Sequence, residues 1–306
     1  MTNKISIAVH GGAGTISKKL LTAEKENAYL TGLKMAVDAG HKILKDGGSS
    51  LDAVEAAVIM LENNPLFNAG KGSVFTNEGM HEMDASIMEG KNLMAGAVAG
   101  VRNIKNPVVL SRKVMEETEH VFLCGLGAEE LARKCNLEFM PPDYFFDSFR
   151  HDQWIAIRNT ETTQLDHSDK KFGTVGAVAL DSNGTVAAAT STGGMTNKRY
   201  NRIGDTPIVG AGTYANNKTC AVSCTGHGEF FIRSVVAYDV SCLMEYKGYS
   251  LKDACNEVVK NKLVKIGGEG GLIAVDAVGN LELCFNSEGM YRGYKLNNEE
   301  TICNIY

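Results

Sequence analysis

Several features that define whole classes of protein are missing from this sequence. It has only 5 prolines beside 33 glycines, which excludes a collagen-like chain. No basic run is longer than two residues and the formal net charge is -5, so a protein that coats nucleic acid is excluded as well. No segment approaches the ~18 consecutive apolar residues that a membrane span requires. We therefore expect a soluble globular protein without nucleic-acid or membrane partners.

The cysteines and the first residues bear on the cellular compartment. None of the 8 cysteines forms a C-x-x-C pair, and the closest two are Cys220 and Cys224. The first ten residues contain neither a long apolar stretch nor a cleavage site of the secretory type. We expect a cytoplasmic protein whose cysteines are reduced and mostly buried, with a disulfide framework or a zinc site as the alternative.

Common catalytic signatures are also absent. The chain has no G-x-S-x-G elbow, no phosphate-binding loop with its lysine, no H-E-x-x-H helix and no kinase motif set. The glycines that follow His10 do not form G-x-G-x-x-G, and a turn that ends a strand is the favoured interpretation of this segment. The chemistry must therefore be sought in less common motifs.

The pattern of apolar residues and breakers indicates an α+β protein. Strand signals come in hairpins rather than in βαβ units, so we expect stacked sheets covered by helices and not a Rossmann fold. The predicted elements are a strand over 5–9, helices over 22–46 and 51–63, paired strands within 80–101, helical sequence over 107–135, hairpins over 172–190 and 271–285, and helices over 228–246 and 251–264.

An almost wholly polar stretch, residues 159–171, is the best linker candidate, and a strong strand follows it. If the chain is cut between Gly173 and Thr174, the threonine gains a free α-amine beside its hydroxyl. Such an amine has a pKa of ~7.7–8.0 and can accept the hydroxyl proton without help from a histidine. Threonine is also common in strands for packing reasons, so this residue alone is not decisive.

Seven segments make the sequence recognisable over nearly its whole length. They are HGGAG at 10–14, NPLFNAG at 64–70, GTVGAVALD at 173–181, TSTGG at 190–194, RIGD at 202–205, CTGHGE at 224–229 and GGEGG at 267–271. In order and spacing they resemble the plant-type asparaginase/isoaspartyl peptidase family of N-terminal nucleophile (Ntn) hydrolases. The resemblance implies one domain over 1–306 with a four-layer αββα sandwich. It also implies self-cleavage into an α subunit, 1–173, and a β subunit, 174–306, in an (αβ)2 assembly.

The resemblance assigns catalytic roles by position. Thr174 matches the nucleophile of both self-cleavage and hydrolysis, and Thr192 matches the threonine that orients it. The Thr225 hydroxyl and the Gly226 N–H match the oxyanion hole, which must stabilise the charge that develops on the amide oxygen. Asn68 resembles a residue close to the nucleophile.

Other matched positions concern the substrate. Arg202 matches the clamp on the substrate α-carboxylate, for which a guanidinium is well shaped. Asp205 and the Gly228 carbonyl match contacts to the α-ammonium. A surface ion pair is the alternative for Arg202 and Asp205. His227 lies within the same segment, and we interpret it as a bystander because the amine already supplies the base.

The resemblance implies no cofactor for catalysis, but it suggests a structural sodium ion. The ligands are backbone carbonyls, which place little demand on the side chains. They would be those of Leu61, Glu62, Asn64, Phe67, Ala69 and Lys71.

The favoured function is hydrolysis of β-aspartyl dipeptides and of L-asparagine. Both substrates carry a β-amide on a free α-amino, α-carboxyl head, so one clamp serves both. Glycosylasparaginase is the alternative within the family, although it is typically a secretory-route enzyme. An uncleaved, non-catalytic binding protein is the alternative outside it.

Overall fold

The computed structural model describes residues 4–14, 16, 21–160 and 173–306. Most of the predicted linker, residues 161–171, and Phe172 therefore lie outside the described residues. Within the described part, the helices are α1 (Ala23–Lys45), α2 (Ser50–Glu62), α3 (Pro107–Glu117), α4 (Gly125–Lys134), α5 (Ser148–Ile157), α6 (Gly228–Ser234), α7 (Val236–Lys247), α8 (Leu251–Asn256) and α9 (Leu263–Lys265), with a π-helical stretch, Glu257–Lys262, between the last two. None of these described helices is both long and apolar enough to cross a membrane.

Strands in the described part of the chain form two sheets. Their bounds are β1 (Ser6–Gly14), β2 (Met83–Glu89), β3 (Ala95–Val101), β4 (Phe122–Cys124), β5 (Val175–Leu180), β6 (Val186–Thr192), β7 (Thr213–Ala215), β8 (Cys220–Gly226), β9 (Gly270–Asp276), β10 (Leu281–Phe285), β11 (Gly289–Leu296) and β12 (Ile302–Asn304). The larger sheet has the order β12-β11-β1-β5-β6-β2-β3-β4, and the smaller has the order β10-β9-β8-β7. The fold is therefore α+β, as the hairpin pattern predicted.

Four apolar clusters account for the burial of these elements. α1 and α2 pack on one face of the larger sheet through residues such as Val37 and Val54 of the helices and Ala177 of β5. The other face of that sheet shares a cluster with the smaller sheet, which includes Val178 and Ile273. α6, α7 and α8 cover the remaining face of the smaller sheet. α3 and α4 pack with β2 and β3 in the fourth cluster.

Capping residues set the first two helices as the sequence suggests. The Thr22 side chain accepts a hydrogen bond from Lys25 N at the start of α1, and Ser49 accepts one from Asp52 N at the start of α2. These bonds satisfy backbone donors that have no partner inside the helix. Gly47 follows α1 with φ +84°, a conformation that glycine adopts without strain.

The segment that begins at His10 is not the predicted turn. β1 continues through it to Gly14, with a bulge between His10 and Gly12. β11 pairs with β1 from Ser6 to Gly14, whereas β5 pairs with it only as far as His10, so β11 supplies the partners of the continued segment. Gly12 and Gly14 have φ values of 116° and 155°, which allow the bulged strand to continue.

Two predicted helices are each interrupted. The segment over 107–135 contains strand β4 between α3 and α4. The segment over 228–246 breaks at Val235, which has φ 49° and ψ 49° and separates α6 from α7. A β-branched residue in this left-handed conformation is uncommon, so nothing in the sequence signals the break.

The eight cysteines are free thiols, in line with the expectation of reduced side chains. Burial is less uniform than predicted, because Cys220, Cys224, Cys255 and Cys284 are buried whereas Cys124 is exposed. Burial raises the pKa of Cys220 to about 12, which keeps this thiol protonated and unreactive.

Candidate active site

Strand register places Thr174, the predicted nucleophile, beside Thr192, the threonine predicted to orient it. Val175 of β5 pairs with Ser191 of β6, so the next step along this antiparallel pair sets Thr174 against Thr192. The Thr174 hydroxyl donates to Thr192 Oγ1 over 3.2 Å, and Gly194 N donates to the same oxygen over 3.0 Å. Thr174 is 8% exposed. The predicted nucleophile is therefore held in one orientation in a nearly buried site.

Asn68 explains why a glycine precedes Thr174. A Cβ at Gly173 would lie 2.3 Å from Asn68 Cβ, a distance that real structures do not tolerate. Asn68 cannot easily move away, because its Nδ2 donates to Gly194 O over 2.7 Å and its Oδ1 accepts from Val74 N over 3.0 Å. The structure thus places Asn68 beside the predicted scissile bond, as expected.

Thr225 is the next-to-last residue of β8 and is fully buried. Its Oγ1 accepts a hydrogen bond from Ala13 N over 3.3 Å, which leaves the hydroxyl proton of Thr225 available to another acceptor. Ala13 belongs to the glycine-rich segment of β1, a role that the sequence did not indicate. Gly226 follows directly, where a Cβ would lie 2.5 Å from the Phe231 ring.

Gly228 brings together the residues predicted to bind the substrate head. A Cβ at this position would lie 2.8 Å from Arg202 Nη2 and 3.0 Å from Asp205 Oδ1. Both charged groups therefore lie in the space that a side chain at Gly228 would fill, only two residues beyond Gly226. The stretch from Thr225 to Gly228 joins the predicted oxyanion hole to the predicted clamp.

Arg202 has a partner that the sequence did not reveal. Its Nε and Nη2 donate to the two carboxylate oxygens of Glu229 over 2.8 and 2.9 Å, a bidentate pair. Partial burial would raise the pKa of Glu229, but hydrogen bonds from His227 and Arg202 outweigh this effect and hold the pKa well below its usual range. Among the described residues, Nη1 of this guanidinium makes no hydrogen bond, so its N–H donors can bind another carboxylate.

His227 contacts this pair rather than the nucleophile. Its Nε2 lies 3.1 Å from Glu229 Oε2, and its ring packs edge-on against Phe230 with centroids 4.8 Å apart. Within the described ranges, no hydrogen bond joins His227 to Thr174. The geometry agrees with the interpretation of this histidine as a bystander to the reaction.

Asp205 is buried and incompletely satisfied. Its side chain is 4% exposed, and Oδ2 finds no hydrogen-bond partner among the described residues. Burial raises the pKa of Asp205 to about 7. An unsatisfied buried carboxylate oxygen costs free energy, and such a group is typical of a place where a ligand binds.

His10 reaches the nucleophile from β1. Its Nδ1 lies 3.0 Å from the Thr174 carbonyl oxygen and its Nε2 lies 2.9 Å from Ser223 Oγ. Complete burial lowers the pKa of His10 to about 3, so the imidazole is neutral. The carbonyl can only accept, which assigns the single ring proton to Nδ1.

The loop predicted to bind sodium curls tightly. The carbonyls of Leu61, Asn64, Phe67 and Ala69 accept hydrogen bonds from the N–H groups of Asn64, Phe67, Ala69 and Gly72, and the Leu61 carbonyl also accepts from Asn63 N. A carbonyl oxygen has two lone pairs, so those of Asn64, Phe67 and Ala69 can each also bind a cation. A Cβ at Gly72 would lie 2.0 Å from Phe67 O, so this tight closure depends on glycine. These donors suit a small hard cation that prefers oxygen ligands.

The remaining two predicted sodium ligands lie in the same loop. A Cβ at Gly70 would be 2.5 Å from the Glu62 carbonyl oxygen, so this carbonyl faces the turn. The Lys71 ammonium lies 5.2 Å from the centroid of the Tyr144 ring, so the side chain of Lys71 contacts that ring. The loop geometry is thus compatible with the predicted donor set.

The Glu62 side chain has a structural role that the sequence did not reveal. Its carboxylate accepts from Ser191 Oγ over 2.7 Å, from Val108 N over 3.0 Å and from Asn106 Nδ2 over 3.0 Å. Burial raises the pKa of Glu62 to about 7. Because Ser191 precedes Thr192, this carboxylate links the curled loop to the nucleophile strand.

Comparisons with known proteins agree with this geometry. A family model described as asparaginase matches residues 3–304. The chain is 51% identical to a protein of Escherichia coli K12 named isoaspartyl peptidase, over 99% of this chain and 96% of that one. It is 52% identical to the Salmonella typhimurium isoaspartyl peptidase, over 99% of both. It is 43% identical to the Mus musculus isoaspartyl peptidase/L-asparaginase, over 93% of this chain and 86% of the other. With its full-length match and its paired threonines, the chain belongs to the asparaginase family.

Proposed function

We propose that this protein is an isoaspartyl peptidase and L-asparaginase, a hydrolase that acts on β-aspartyl dipeptides and on L-asparagine. The two bacterial relatives are named isoaspartyl peptidase and the mouse relative isoaspartyl peptidase/L-asparaginase, at 43–52% identity over most of their length. The alternative, glycosylasparaginase, is not favoured by the names of these relatives. The substrates are small molecules in either case.

The observation that carries the proposal is the buried Asp205 carboxylate with an unpartnered oxygen, close to Gly228 and Arg202. A free α-ammonium would satisfy Asp205 Oδ2 and favour its ionised form. An α-carboxylate would take the open Nη1 edge of Arg202. Only a substrate with a zwitterionic head offers both groups. Both proposed substrates have this head and differ in what leaves the β-carbonyl.

Self-cleavage of the Gly173–Thr174 bond is the first step of the proposed chemistry. The Thr174 hydroxyl attacks the Gly173 carbonyl carbon, and the acyl group moves from nitrogen to oxygen to form an ester. Water then hydrolyses this ester, which leaves a carboxylate on residue 173 and a free amine and hydroxyl on Thr174. The absence of a side chain on Gly173 allows the close approach of Asn68 at this bond.

Hydrolysis of the substrate then repeats the same chemistry. The Thr174 amine takes the hydroxyl proton as Oγ1 attacks the β-carbonyl carbon. The Thr225 hydroxyl and the Gly226 N–H donate to the oxygen on which negative charge develops. The protonated amine passes its proton to the leaving nitrogen, which departs as ammonia or as an amine. Water attacks the resulting β-aspartyl ester and releases aspartate, and Thr192 keeps the hydroxyl oriented throughout.

The finer architecture is part of the proposal. The apolar clusters on both faces of each sheet support a four-layer αββα sandwich, with α1 and α2 outside the larger sheet and α6 to α8 outside the smaller. We propose a single cytoplasmic domain over 1–306, cut into 1–173 and 174–306 and assembled as (αβ)2. Mass measurement in solution by light scattering tests the assembly, because an αβ unit alone would give half the proposed mass.

A structural sodium ion bound to the curled loop is also proposed, through the carbonyls of Leu61, Glu62, Asn64, Phe67, Ala69 and Lys71. The ion would fix the loop that carries Asn68 and would take no part in the reaction. We propose that catalysis needs no cofactor. Exchange of sodium for choline should lower the melting temperature, and an unchanged value would argue against the site.

Assays of three substrates test the function directly. Purified protein should release aspartate from L-asparagine and from a β-aspartyl dipeptide. It should act poorly on an asparagine whose side-chain nitrogen carries a sugar, and it should not cleave the α-linked isomer of the dipeptide. A preference for the glycosylated substrate would favour glycosylasparaginase. Folded protein that stays uncut and hydrolyses none of the three would indicate a binding protein.

A further inference from the structure

A row of polar side chains crosses the apolar region between the two sheets, at the level of Gly176, two residues after Thr174. Strand register aligns His10 with Gly176, Gly176 with Thr190, and Thr190 with Ser86 across four neighbouring strands of the larger sheet. Ser223 and Thr213, which pair across β8 and β7, face this row from the smaller sheet. We name these side chains the polar seam: His10, Ser86, Thr190, Thr213 and Ser223. All five are completely buried.

The seam is a continuous chain of hydrogen bonds. Ser223 Oγ lies 2.9 Å from His10 Nε2 and 2.7 Å from Thr190 Oγ1. Thr190 Oγ1 lies 2.5 Å from Thr213 Oγ1, and the Ser86 hydroxyl lies 2.8 Å from the latter oxygen. Each hydroxyl has one proton, so the neutral His10 fixes their direction. Ser223 donates to His10 Nε2, Thr190 donates to Ser223, and Thr213 donates to Thr190.

Both ends of the seam reach the proposed active site. At one end the Nδ1–H of His10 donates to the carbonyl oxygen of Thr174 over 3.0 Å. At the other end the single Ser86 hydroxyl proton is shared between Thr213 Oγ1, at 2.8 Å, and the carbonyl oxygen of Thr206, at 2.6 Å. Thr206 follows Asp205, the proposed acceptor of the substrate ammonium. The seam therefore connects the backbone of the nucleophile to the backbone beside the head-binding carboxylate.

Gly176 makes room for the seam at its centre. A Cβ at this position would lie 2.0 Å from Ser223 Oγ and 2.5 Å from His10 Nε2. Neither atom can move without breaking a buried hydrogen bond, which would leave a polar group unsatisfied. A glycine in the middle of a strand usually weakens the strand, and it often marks a place where other atoms approach closely. At Gly176 the space that a side chain would fill is occupied by Ser223 Oγ and His10 Nε2.

We propose that the polar seam positions the Thr174 nucleophile relative to the bound substrate head, and that its five members are positioning residues that do not touch the substrate. This inference rests on the proposed function, because it needs Thr174 as the nucleophile. A buried polar network whose members are all satisfied is rigid and permits one arrangement. Small displacements of a reacting atom cost large factors in rate, so the seam should affect kcat more than KM.

Paired substitutions at Thr190, the middle of the seam, test the proposal. Thr190→Val keeps the shape and removes the hydroxyl, whereas Thr190→Ser keeps the hydroxyl and removes a methyl group. The matched control is Thr219→Val, because Thr219 and Ser241 form another buried hydroxyl pair, 2.6 Å apart, outside the seam. Each variant is purified with wild type, checked by thermal unfolding, and assayed for kcat and KM with L-asparagine.

We expect Thr190→Val to lower kcat about tenfold with less than a twofold change in KM. Thr190→Ser and Thr219→Val should remain within about threefold of wild type. Equal losses in Thr190→Val and Thr190→Ser would show that only volume matters and would overturn the proposal. So would equal kcat values for Thr190→Val and Thr219→Val. If Thr190→Val does not fold, Ser86→Ala against Ser241→Ala applies the same criterion at the end of the seam.

A parallel Thr174→Ala variant separates this inference from the function on which it rests. If Thr174→Ala retains hydrolysis, the nucleophile assignment is wrong, whatever the seam variants do. If Thr174→Ala is inactive while Thr190→Val behaves like its control, the function stands and the seam has no positioning role.

Discussion

The nucleophile region and the head-binding region of this site differ in the groups that form their hydrogen bonds, which are uncharged in the first and charged in the second. Around Thr174 the hydrogen bonds come from hydroxyls, backbone groups and the neutral ring of His10. Around Gly228 they involve a buried carboxylate and a bidentate arginine–glutamate pair. The difference matches the proposed substrate, whose β-amide is neutral and whose head is zwitterionic.

This contrast also explains why no side-chain base is needed. Among the described residues, no lysine, arginine or carboxylate side chain hydrogen-bonds to the hydroxyl of Thr174. His10 contacts the carbonyl oxygen of this residue, and its imidazole is neutral and engaged at both nitrogens. We therefore expect the proton of the proposed nucleophile to go to the α-amine that the proposed cleavage exposes.

The largest effect is expected in the nucleophile region. Thr174→Ala should remain a single chain and lose kcat by about 10⁴-fold or more, because it lacks the attacking oxygen. Thr174→Ser keeps both oxygen and amine and should retain some cleavage and activity. Gel electrophoresis and the asparagine assay measure both outcomes. Activity in Thr174→Ala near the wild-type value would show that Thr174 is not the nucleophile, and the comparison of the nucleophile region with the head-binding region would then fail.

The next effect is expected in the head-binding region. Arg202→Ala should lower kcat/KM about 100-fold, mainly through KM, because the substrate carboxylate loses its charged partner. Arg202→Lys keeps the charge, but an ammonium lacks the planar guanidinium whose separate edges can bind Glu229 and a substrate carboxylate at the same time. The lysine variant should therefore recover only part of the lost kcat/KM. A loss confined to kcat would instead place Arg202 in the chemical step.

Asp205 makes the head-binding region sensitive to pH. Burial raises its pKa to about 7 in the free protein, and only the carboxylate accepts the ammonium. kcat/KM reports the free enzyme, so it should reflect both Asp205 and the Thr174 amine and rise more steeply with pH below about 7 than kcat does. A bound ammonium lowers the pKa of Asp205, so kcat should show only the ionisation of the Thr174 amine. Identical profiles for kcat and kcat/KM would contradict the assignment.

The same carboxylate should reduce stability at neutral pH. Its pKa is raised from the ordinary value of 3.8 to about 7, so the folded state binds the proton more tightly than the unfolded state. The stability that it contributes is present below about 4 and is lost as the pH rises through about 7. Asp205→Asn should therefore raise the melting temperature at pH values above 7 while it abolishes tight substrate binding. A lowered melting temperature would show that the charge is satisfied in the folded state.

A smaller effect is expected at Glu229, which binds Nε and Nη2 of Arg202 and leaves Nη1 for the substrate carboxylate. Glu229→Gln keeps the shape but weakens the bidentate pair, and the pair is partly exposed. We expect KM to increase about fivefold with little change in kcat. A decrease in KM would mean that Glu229 competes with the substrate for the guanidinium.

The smallest effect is expected at His227. It contacts Glu229 and not Thr174, so His227→Ala should lower kcat by less than about threefold. Removal of a general base usually costs ~10²–10⁴ in rate. A loss of that size with intact self-cleavage would identify His227 as the base.

Local signals predicted much of the fold. Hairpin turns, helix caps and helical spacing gave the α+β class and the bounds of α1 and α2. Tertiary contacts decided the rest. β1 continues past His10 because β11 still pairs with it there, and the helix predicted over 228–246 breaks at a valine that carries no breaker signal.

The site was predicted where residues act through recognisable motifs, and the structure brings those residues together. Thr174 meets Thr192, and Arg202 and Asp205 meet at Gly228. The groups that support them could not be predicted, because their partners are distant in sequence. Thr190 and Ser223 are ordinary strand residues until two sheets face each other, and Glu62 gains its role only through α3 and β6.

The central claim is that Thr174 becomes the N-terminal nucleophile, and N-terminal sequencing of active protein tests it most directly. Purified protein that hydrolyses L-asparagine should contain two pieces of 173 and 133 residues, and the smaller should begin Thr-Val-Gly-Ala. Mass spectrometry of the smaller piece during turnover should show the added mass of one β-aspartyl group. A smaller piece that begins at any other residue, or full activity in an uncut chain, would contradict the account.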